Sequence, residues 1–588
     1  MTKDLEQLRK KRLRWVDANR ENDFEDGIKR LLTNLYPDNA HFIYELLQNA
    51  EDQHASVACF TLTLTLIEFE HNSTNLFTFS NVEDITSIGN SHKRDDPTNI
   101  GKFGVGFKAV FAYTSTPEIH SGQYHFRIHD LVVPQIEGVS SRPLGETTTR
   151  FLFPFDNPDK PAERAHKEIQ NGLAALSDNT LLFLSHIRKI EYLLHDSSLG
   201  YLERIEHECG SIPYASDRAN DLRECEQVEL GHWTRIEIRS IRVDETNRSS
   251  HWLRFHNDVK VEDEEGRLTP CRIAVAYSLE QSRADQNSAK WSIVPATPGE
   301  VSIYFPAEKE TSKLRFHLHA PFASTVARDS VRSCAANDAL RDHLAQLVAN
   351  SIPTIRDLGY LDVAFLAVLP NPADTLSPFY EPLRVALVAT FKNKALVPAR
   401  SGDHVPASKL VRSPAHIARV LTDRDITILS GKKISVAANP PQLNQREDQF
   451  LKSLEIRNWG WEDLNGALSK ISRKSIINAW LSRKSDEGIK ELYELLKHSL
   501  AEDRYYERWQ HKYLTHLSVS HLHIVRSRSI AGPEMCRVSA SFFQEGPESS
   551  RPDDTYFVLP QYCDGDSKAF LEEIGVKPYD EKASCAKC

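Results

Sequence analysis

The chain has 588 residues, which is too long for one hydrophobic core and predicts about three or four domains. Hydrophobic residues make up 40% and charged residues 26% of the sequence, proportions typical of a folded globular protein rather than a disordered one. The net charge of −10 argues against a protein that is basic over its whole surface, and no apolar stretch is long enough to cross a bilayer. With no apolar secretory signal at the N-terminus, we expect a cytoplasmic protein without a membrane partner.

The first 160 or so residues alternate helical and strand patterns. The pattern predicts helices over 28–36, 40–52 and 105–113, a strand or hairpin over 57–69, and strands over 76–79, 125–128 and 151–155. Asp38 or Asn39 can cap the helix that begins at about residue 40. This order of elements predicts a layered α/β sandwich with a mixed sheet.

A second α/β section is predicted over about 230–370. Its strands are expected over 234–238, 272–278, 301–305 and 315–319, with a helix from Asn337 to about Ser351 that Pro353 should end.

Beyond Pro370 several prolines mark a linker, and the remaining sequence is mainly helical in pattern. Residues 450–456 and 570–576 resemble each other, which suggests a module present in two copies. We therefore predict domains over 1–200, 201–370 and 371–588.

One helix carries residue types suited to nucleotide hydrolysis. Glu45, Asn49 and Asp52 share a helical face, and the opposite face carries Ile43, Leu46, Leu47 and Ala50. Asn49 can offer a neutral oxygen to Mg²⁺, while Glu45 can accept a proton from an attacking water. An ordinary amphipathic helix with a polar outer face explains the same spacing, so this motif alone does not decide the function.

A glycine-rich segment follows, with Gly101, Gly104 and Gly106 directly before an apolar helical run. Such spacing lets backbone amides turn toward an anion at the start of a helix. The apolar residues between the glycines indicate an anchored loop rather than a flexible linker. No Gly-Lys pair is followed by Ser or Thr, which excludes a P-loop, and the protein-kinase motifs are absent from the sequence.

In this order the two motifs resemble the GHKL superfamily of ATPases, to which gyrases, heat-shock chaperones and histidine kinases belong. The segments 22–28, 41–52, 88–93, 100–111 and 116–122 look more narrowly like the sacsin-type ATP-binding domain. The resemblance is dense over about 20–155, looser over 230–370 and faint beyond.

The resemblance implies a Bergerat-type α/β sandwich that binds ATP and Mg²⁺, followed by a transducer-like α/β domain and a mainly helical C-terminal region. It makes Glu45 the general base and Asn49 the Mg²⁺ ligand, and it implies a lid over about 89–103. The other implied cofactor-binding residues are Asp52, Asn72, Lys93, Gly101, Lys102, Gly104, Gly106, Phe107, Thr149 (or Thr148) and Arg328 (or Lys313).

One position departs from the superfamily pattern. Asn72 stands where an Asp-x-Gly turn would contact adenine, and no glycine follows it. An Asn oxygen can still accept the adenine amino hydrogen, although it carries no charge. A simple turn residue is the alternative interpretation of Asn72, as a plain surface cation is for Arg328 or Lys313.

The functional hypothesis is an ATP-driven conformational machine with low turnover, chaperone-like or involved in antiviral host defence by analogy with the family. The region 371–588 would hold a protein partner or client, and nucleotide could promote self-association. A nucleotide-gated scaffold with little turnover is one alternative. A nucleic-acid effector that acts through the basic run at 9–14 is the other.

Possible metal ligands are few. Cys585-x-x-Cys588 would need partners such as Cys563 and His523 to bind zinc, and a frayed tail with two thiols is the simpler interpretation. We likewise interpret His317-x-His319 and the run His511, His516, His521 and His523 as ordinary histidines.

Overall fold

The computed structural model describes residues 2–24, 27, 41–88, 106–136, 145, 148–195, 199–212, 230–241, 247–262, 266–282, 290–325, 329–503, 516–529, 532–544 and 555–579. The chain divides into a first unit, Met1–Val388, and a second unit, Ala389–Cys588. In the described part of the chain, no helix is long and apolar enough to cross a membrane.

The helices of the first unit begin at the N-terminus, and the last one contains the division between the units. They are α1 (Thr2–Glu21), α2 (Phe42–Asp52), α3 (Phe79–Ile85), α4 (Ala162–Ala174), α5 (Asn179–Leu182), α6 (Ala335–Asp357) and α7 (Glu381–Asn393). Short 3₁₀ helices lie at Gly106–Ala112, Ala364–Ala367 and Pro378–Tyr380.

The strands of the first unit form one sheet of fifteen strands. They are β1 (Val57–Leu62), β2 (Leu66–His71), β3 (Glu118–Ser121), β4 (Tyr124–His129), β5 (Val133–Gln135), β6 (Thr149–Pro154), β7 (Lys189–Leu193), β8 (Leu199–Ser211), β9 (His232–Ile241), β10 (Arg248–Glu262), β11 (Leu268–Ser282), β12 (Lys290–Val294), β13 (Val301–Ile303), β14 (Phe305–Pro306) and β15 (His317–His319).

The sheet runs in the order β14-β13-β15-β11-β10-β9-β8-β7-β1-β2-β6-β3-β4-β5, with β12 paired to β11. It is mixed because β1 is parallel to β7 and β13 is parallel to β15. The predicted mixed α/β class is therefore confirmed. The sheet passes from the β1–β2 hairpin through β7 into β8–β11, so the predicted first and middle domains share it; the three-domain division stays a prediction.

The α2 helix packs its apolar face on the sheet. Ile43, Leu46, Leu47 and Ala50 are all buried, as the helical spacing predicted. The ring of Phe42 lies edge-on to Phe153 of β6, with 6.1 Å between centroids. Strand β1 buries alternate residues, and it forms with β2 the antiparallel hairpin predicted over 57–69.

The strand predicted over 76–79 is wrong, because α3 begins there instead. Oγ1 of Thr78 accepts a hydrogen bond from the Asn81 amide at 3.4 Å, and Oδ1 of Asn81 accepts one from the Thr78 amide at 2.8 Å. This reciprocal capping satisfies donors at the helix start and outweighs the apolar Leu76 and Phe77.

Two further expectations about helix ends are corrected. Helix α6 continues through Pro353 to Asp357, since Ile352 and Ile355 on either side are fully buried and hold the turn in place. Helix α2 is preceded by His41 at its N-cap position, without a side-chain capping bond. The proposed caps Asp38 and Asn39, with the predicted helix over 28–36, lie outside the described residues.

The helix predicted over 105–113 is the 3₁₀ helix Gly106–Ala112.

The second unit contains helices, as predicted, together with small sheets. Its helices are α8 (Ala415–Val420), α9 (Asp423–Ser430), α10 (Arg446–Ser453), α11 (Trp461–Leu468), α12 (Lys474–Ser482), α13 (Asp486–Asp503), α14 (His516–Val519) and α15 (Gly565–Glu573). Its strands are β16 (Val397–Pro398), β17 (His404–Val405), β18 (Leu410–Arg412), β19 (Ser435–Val436), β20 (Arg457–Asn458), β21 (Val525–Ser529), β22 (Gly532–Cys536), β23 (Ser541–Phe543), β24 (Tyr556–Val558) and β25 (Lys577–Pro578).

The same arrangement of elements occurs twice in the second unit. The β16–β17 hairpin leads to β18, which is parallel to both β19 and β20. The β21–β22 hairpin leads in the same way to β23, which is parallel to both β24 and β25. Helices α10 and α15, which contain the similar sequences, directly precede β20 and β25.

Lys108 fixes the 3₁₀ helix of the first unit to two neighbouring segments. Its side chain is buried, and Nζ donates to the carbonyl oxygens of Ile85 and Leu131, each at 2.7 Å. Burial lowers the pKa of this amine to about 7, and the nearby Arg12 cation adds to the effect.

The Lys108 pKa makes the stability of the first unit depend on pH. Between about pH 7 and pH 10 the unfolded chain holds a proton that the folded chain has lost. The free energy of unfolding should therefore rise with pH in this window, by at most about 1.4 kcal/mol per pH unit. We expect Lys108→Met to remove this slope, as measured by urea denaturation with pulse proteolysis of the first unit.

The exposed Lys11 provides the control, since Lys11→Met should keep the wild-type slope. An unchanged slope in Lys108→Met would show that the amine keeps its proton through this pH range.

Candidate functional site

The structure brings Glu45 and Gly106 together. Helix α2 presents the Glu45 carboxylate, which is 7% exposed, to the first residue of the 3₁₀ helix. A Cβ atom added at Gly106 would overlap Oε2 of Glu45 and lie 3.1 Å from Oε1. Only glycine leaves room for the carboxylate at this position. The candidate base and the last glycine of the predicted phosphate loop are thus direct neighbours.

Asn49 and Asp52 follow Glu45 on α2, and both are half-buried. They are more accessible than the apolar face of the helix, in keeping with their predicted position on the polar side. Nε2 of His41, one turn before Glu45, lies 4.0 Å from the Glu45 carboxylate. His41 was not predicted as a site residue. Its spacing of four residues from Glu45 places the two side chains on one helical face and could have indicated the contact.

Glu51 of α2 was also not predicted, although hydrogen bonds hold its side chain in place. Its carboxylate is buried and accepts hydrogen bonds from three consecutive amides. Ser185 and His186 donate to Oε1 at 2.6 and 2.9 Å, and Ile187 donates to Oε2 at 2.8 Å. Hydrogen bonds to an ionised acceptor are the strong ones in proteins.

Two arginines hold the segment 181–187 that Glu51 binds. The guanidinium of Arg204, on β8, donates to the carbonyls of Leu181, at 2.8 Å, and Leu184. The guanidinium of Arg254, on β10, donates to the carbonyl of Leu182 at 3.0 Å. Burial lowers the pKa of Arg254 to about 10, so that it is still a cation at neutral pH.

The predicted adenine contacts Asn72 and Thr149 lie at neighbouring strand ends, since Thr149 pairs with His71 between β6 and β2. Oδ1 of Asn72 accepts from the amides of Ser56 and Val57, each at 2.9 Å, and Nδ2 donates to Oγ of Ser56. Asn72 therefore links the end of β2 to the start of β1, and its role toward adenine stays a prediction.

Thr149 is fully buried, and its hydroxyl lies 2.6 Å from Oγ of Ser121. The neighbouring His71 is also buried, which lowers its pKa to about 4 and keeps the imidazole neutral. His71 was not predicted, and its position beside Asn72 was the only signal. The alternative Thr148 is half-buried, and its amide donates to the carbonyl of Gly145 at 3.2 Å.

Phe107 packs inward on the sheet. Its ring centroid lies 6.1 Å from that of Phe151 and 6.3 Å from that of Phe153. Lys313 is exposed, and its Nζ lies 3.4 Å from Oγ1 of Thr375. The remaining predicted positions lie outside the described residues: Lys93, Gly101, Lys102, Gly104, Arg328 and the proposed lid over 89–103.

Helix α1, which carries the basic run at 9–14, packs into the first unit. Leu5 and Leu8 on the same helix are buried in the core of the first unit. The guanidinium of Arg12 donates to the carbonyl of Glu83 at 3.0 Å. Three cations of the run are exposed: Lys10, Lys11 and Arg14.

His317 and His319 are both buried and engaged with the backbone. Nδ1 of His317 accepts from the Glu300 amide at 2.8 Å, and Nδ1 of His319 lies 3.2 Å from the carbonyl oxygen of Ser302. Burial lowers their pKa values to about 4 and about 3, so both rings are neutral. The described residues contain no group of three or more His, Cys, Asp or Glu side chains arranged to hold a metal ion.

His511 and the Cys585–Cys588 pair lie outside the described residues. The cysteines for which the structure shows a free thiol are Cys59, Cys209, Cys271, Cys334, Cys536 and Cys563.

A family model, the Sacsin domain, matches residues 69–151. Protein NO VEIN of Arabidopsis thaliana is 33% identical over 200 residues, covering 29% of this chain and 7% of that protein. Sacsin of Homo sapiens is 34% identical over 113 residues, covering 16% of this chain and 2% of that protein. The chain thus matches only a small part of the length of either relative.

A crystal structure of the N-terminal domain of a DNA repair protein covers 56% of this chain and 99% of its own, with 12% identity and a TM-score of 0.31. A TM-score this low supports no conclusion. Residues 69–151 of this chain are thus similar to the Sacsin domain, and stretches of the chain are similar to Protein NO VEIN and to Sacsin.

Proposed function

We propose that the first unit binds ATP with Mg²⁺ and hydrolyses it slowly, so that nucleotide binding and release drive a conformational change. The contact between the Glu45 carboxylate and Gly106 carries this proposal. It joins the two motifs that resemble the GHKL superfamily, a carboxylate one turn before an asparagine and a glycine-rich segment. Membership of that superfamily, and a chaperone-like or host-defence role, belong to the proposal.

Each residue has a distinct chemical role in this proposal. Glu45 accepts a proton from the water that attacks the γ-phosphate, and its buried position keeps bulk water away from the carboxylate. Asn49, one turn later and half-buried, offers a neutral oxygen ligand. Mg²⁺, when bound there, neutralises phosphate charge.

The conformational part of the proposal rests on Glu51. Glu45 and Glu51 lie on the same helix, and Glu51 binds the backbone of 185–187. Arg204 and Arg254, on β8 and β10, bind the carbonyls of Leu181 and Leu182, which shortly precede that segment. A small movement of α2 on nucleotide binding is therefore passed to the long strands of the first unit.

A second candidate is a nucleotide-gated scaffold with little turnover. The hydrogen bonds of Asn72 favour it, because the side chain that would select adenine is already engaged with Ser56 and Val57. In either case we propose that residues 371–588 bind a protein partner and that nucleotide promotes self-association.

Substitution of Glu45 and substitution of Asn49 should affect ATP hydrolysis and ATP binding differently. Glu45→Ala should bind ATP about normally while hydrolysis falls by roughly 10²-fold or more, because the base acts only in the transition state. Asn49→Ala should weaken ATP binding itself, since the magnesium ligand acts before any chemistry. Calorimetry for affinity and phosphate release for turnover measure both effects.

Glu163→Ala is the control, because Glu163 is exposed on α4. Wild-type hydrolysis in Glu45→Ala would refute the catalytic role of that residue. ATP binding without turnover in the wild type would favour the scaffold, and absence of nucleotide binding would refute both candidates.

A methyl group at Gly106 should displace the Glu45 carboxylate. We expect Gly106→Ala to destabilise the first unit by about 1–3 kcal/mol, the usual cost of overpacking, and to lower ATP turnover. In a Glu45→Ala background the same substitution should cost little, because the obstructing carboxylate is gone. Urea denaturation of the wild type, the two single variants and the double variant gives the coupling energy between Glu45 and Gly106.

Gly466→Ala serves as the control, since no atom lies within 4 Å of the added methyl on α11. Additive costs in the double variant would show that the two groups are not in contact.

Glu51→Gln should loosen the segment 185–187. The amide presents an N–H group to backbone N–H donors, so we expect a loss of about 2 kcal/mol in stability. Hydrogen exchange at 185–187 should accelerate with or without ATP. Glu163→Gln changes charge in the same way at an exposed position and should leave exchange unaltered. Unchanged exchange in Glu51→Gln would argue against Glu51 as the link between α2 and the sheet.

A further inference from the structure

The second unit, for which we proposed a protein partner above, contains a cleft of 680 Å³, and the inference that follows rests on that partner proposal. The cleft lies between α9, α12 and the start of α13. We call it the α9–α12 cleft. Two exposed arginines, an apolar floor and one internally paired charge cluster line it.

Arg424 and Arg483 supply the unpaired charge. Both side chains line the cleft and are exposed. Within the described residues neither guanidinium has an ion pair or a side-chain hydrogen bond. Two guanidinium groups in one cleft favour carboxylates, because each can form a bidentate pair with one.

The third cation, Lys484, is already neutralised. Its Nζ lies 3.3 Å from Oδ2 of Asp425 and 4.9 Å from the centroid of the Trp480 ring. Trp480 also donates to Asp425 through Nε1. Lys484, Asp425 and Trp480 therefore form a closed cluster that gives the cleft a rigid wall, and the net charge left for a ligand is that of the two arginines.

The helix ends and the tryptophan of the cleft favour a carboxylate ligand over a phosphate or a nucleobase. The start of α9 is capped internally, since Thr422 and Asp425 satisfy each other's amides. Oγ of Ser485 accepts from the Gly488 amide at 3.1 Å at the start of α13. These amides are not free to bind an anion, and one face of the Trp480 ring is covered by Lys484.

The floor of the cleft is apolar. Ile428 and Ala479 line it, and Ile476 is 50% exposed there. An apolar side chain placed on this floor would lose contact with water while its neighbours reach the two arginines.

We propose that the α9–α12 cleft binds a short acidic segment of a protein partner, in which two carboxylates flank an apolar side chain. The carboxylates pair with Arg424 and Arg483, and the apolar side chain packs on Ile428 and Ile476. This site is independent of ATP binding in the first unit.

A random decapeptide library displayed on phage tests the proposal with the full chain as target. We expect enrichment of peptides with Asp or Glu on both sides of an apolar residue. A fluorescein-labelled peptide of the most enriched sequence should lose about tenfold or more in affinity for the double variant Arg424→Glu, Arg483→Glu.

The matched control is the double variant Lys432→Glu, Lys433→Glu, which makes the same change in charge at the exposed residues after the other end of α9. It should change the affinity much less. Ile476→Asp, which places a carboxylate on the floor, should also weaken binding. Thermal unfolding midpoints close to that of the wild type show that the variants fold.

Three results would overturn the proposal. Enriched peptides could lack acidic residues, or they could bind both double variants equally. Alternatively, a poly-dT oligonucleotide could displace the peptide and itself depend on Arg424 and Arg483, which would assign the cleft to nucleic acid instead.

Discussion

The position of α2 depends on the bond between the Glu51 carboxylate and the amides of Ser185, His186 and Ile187. A buried carboxylate is costly unless its lone pairs are satisfied, and three N–H donors satisfy this one. With α2 fixed at this end, the backbone of Glu45, about one and a half turns earlier, is held where its side chain reaches Gly106. The geometry of the candidate site is therefore set by a contact outside it.

A second buried ionisable side chain, that of Lys108, positions the other side of the candidate site. Lys108 ties the 3₁₀ helix that begins at Gly106 to Ile85 and to Leu131. A lysine at this depth is destabilising as a cation, and its lowered pKa expresses that cost. The helix that presents Glu45 and the segment that receives it are thus each anchored by an ionisable side chain bonded to backbone groups. Such anchoring favours a fixed geometry of the groups around a reacting atom.

Local patterns predicted the parts of the fold that local forces decide. The buried face of α2 and the β1–β2 hairpin follow from the spacing of their apolar residues. The strand predicted over 76–79 failed because Thr78 and Asn81 form a capping pair. The long strands β8 and β10 were missed because their alternation is broken, in β8 by consecutive exposed residues over 206–209 and in β10 by the consecutive buried residues Trp252 and Leu253. Glu51 could not be assigned because its partners lie 134 to 136 residues further along the chain.

A comparison of the two similar segments of the second unit distinguishes side chains whose packing contacts occur in both segments from side chains that make no such contact. Phe391 packs on Phe450 as Tyr493 packs on Phe570. Even the left-handed turn recurs, with φ of 55° at Glu455 and 106° at Gly575.

Contacts that repeat in this way belong to the packing of helix on helix. Arg424 and Arg483 take part in none of them. In the part of the chain that the structure describes, the two guanidinium groups beside the apolar floor have no carboxylate partner, and the ligand proposed for the cleft would supply one to each.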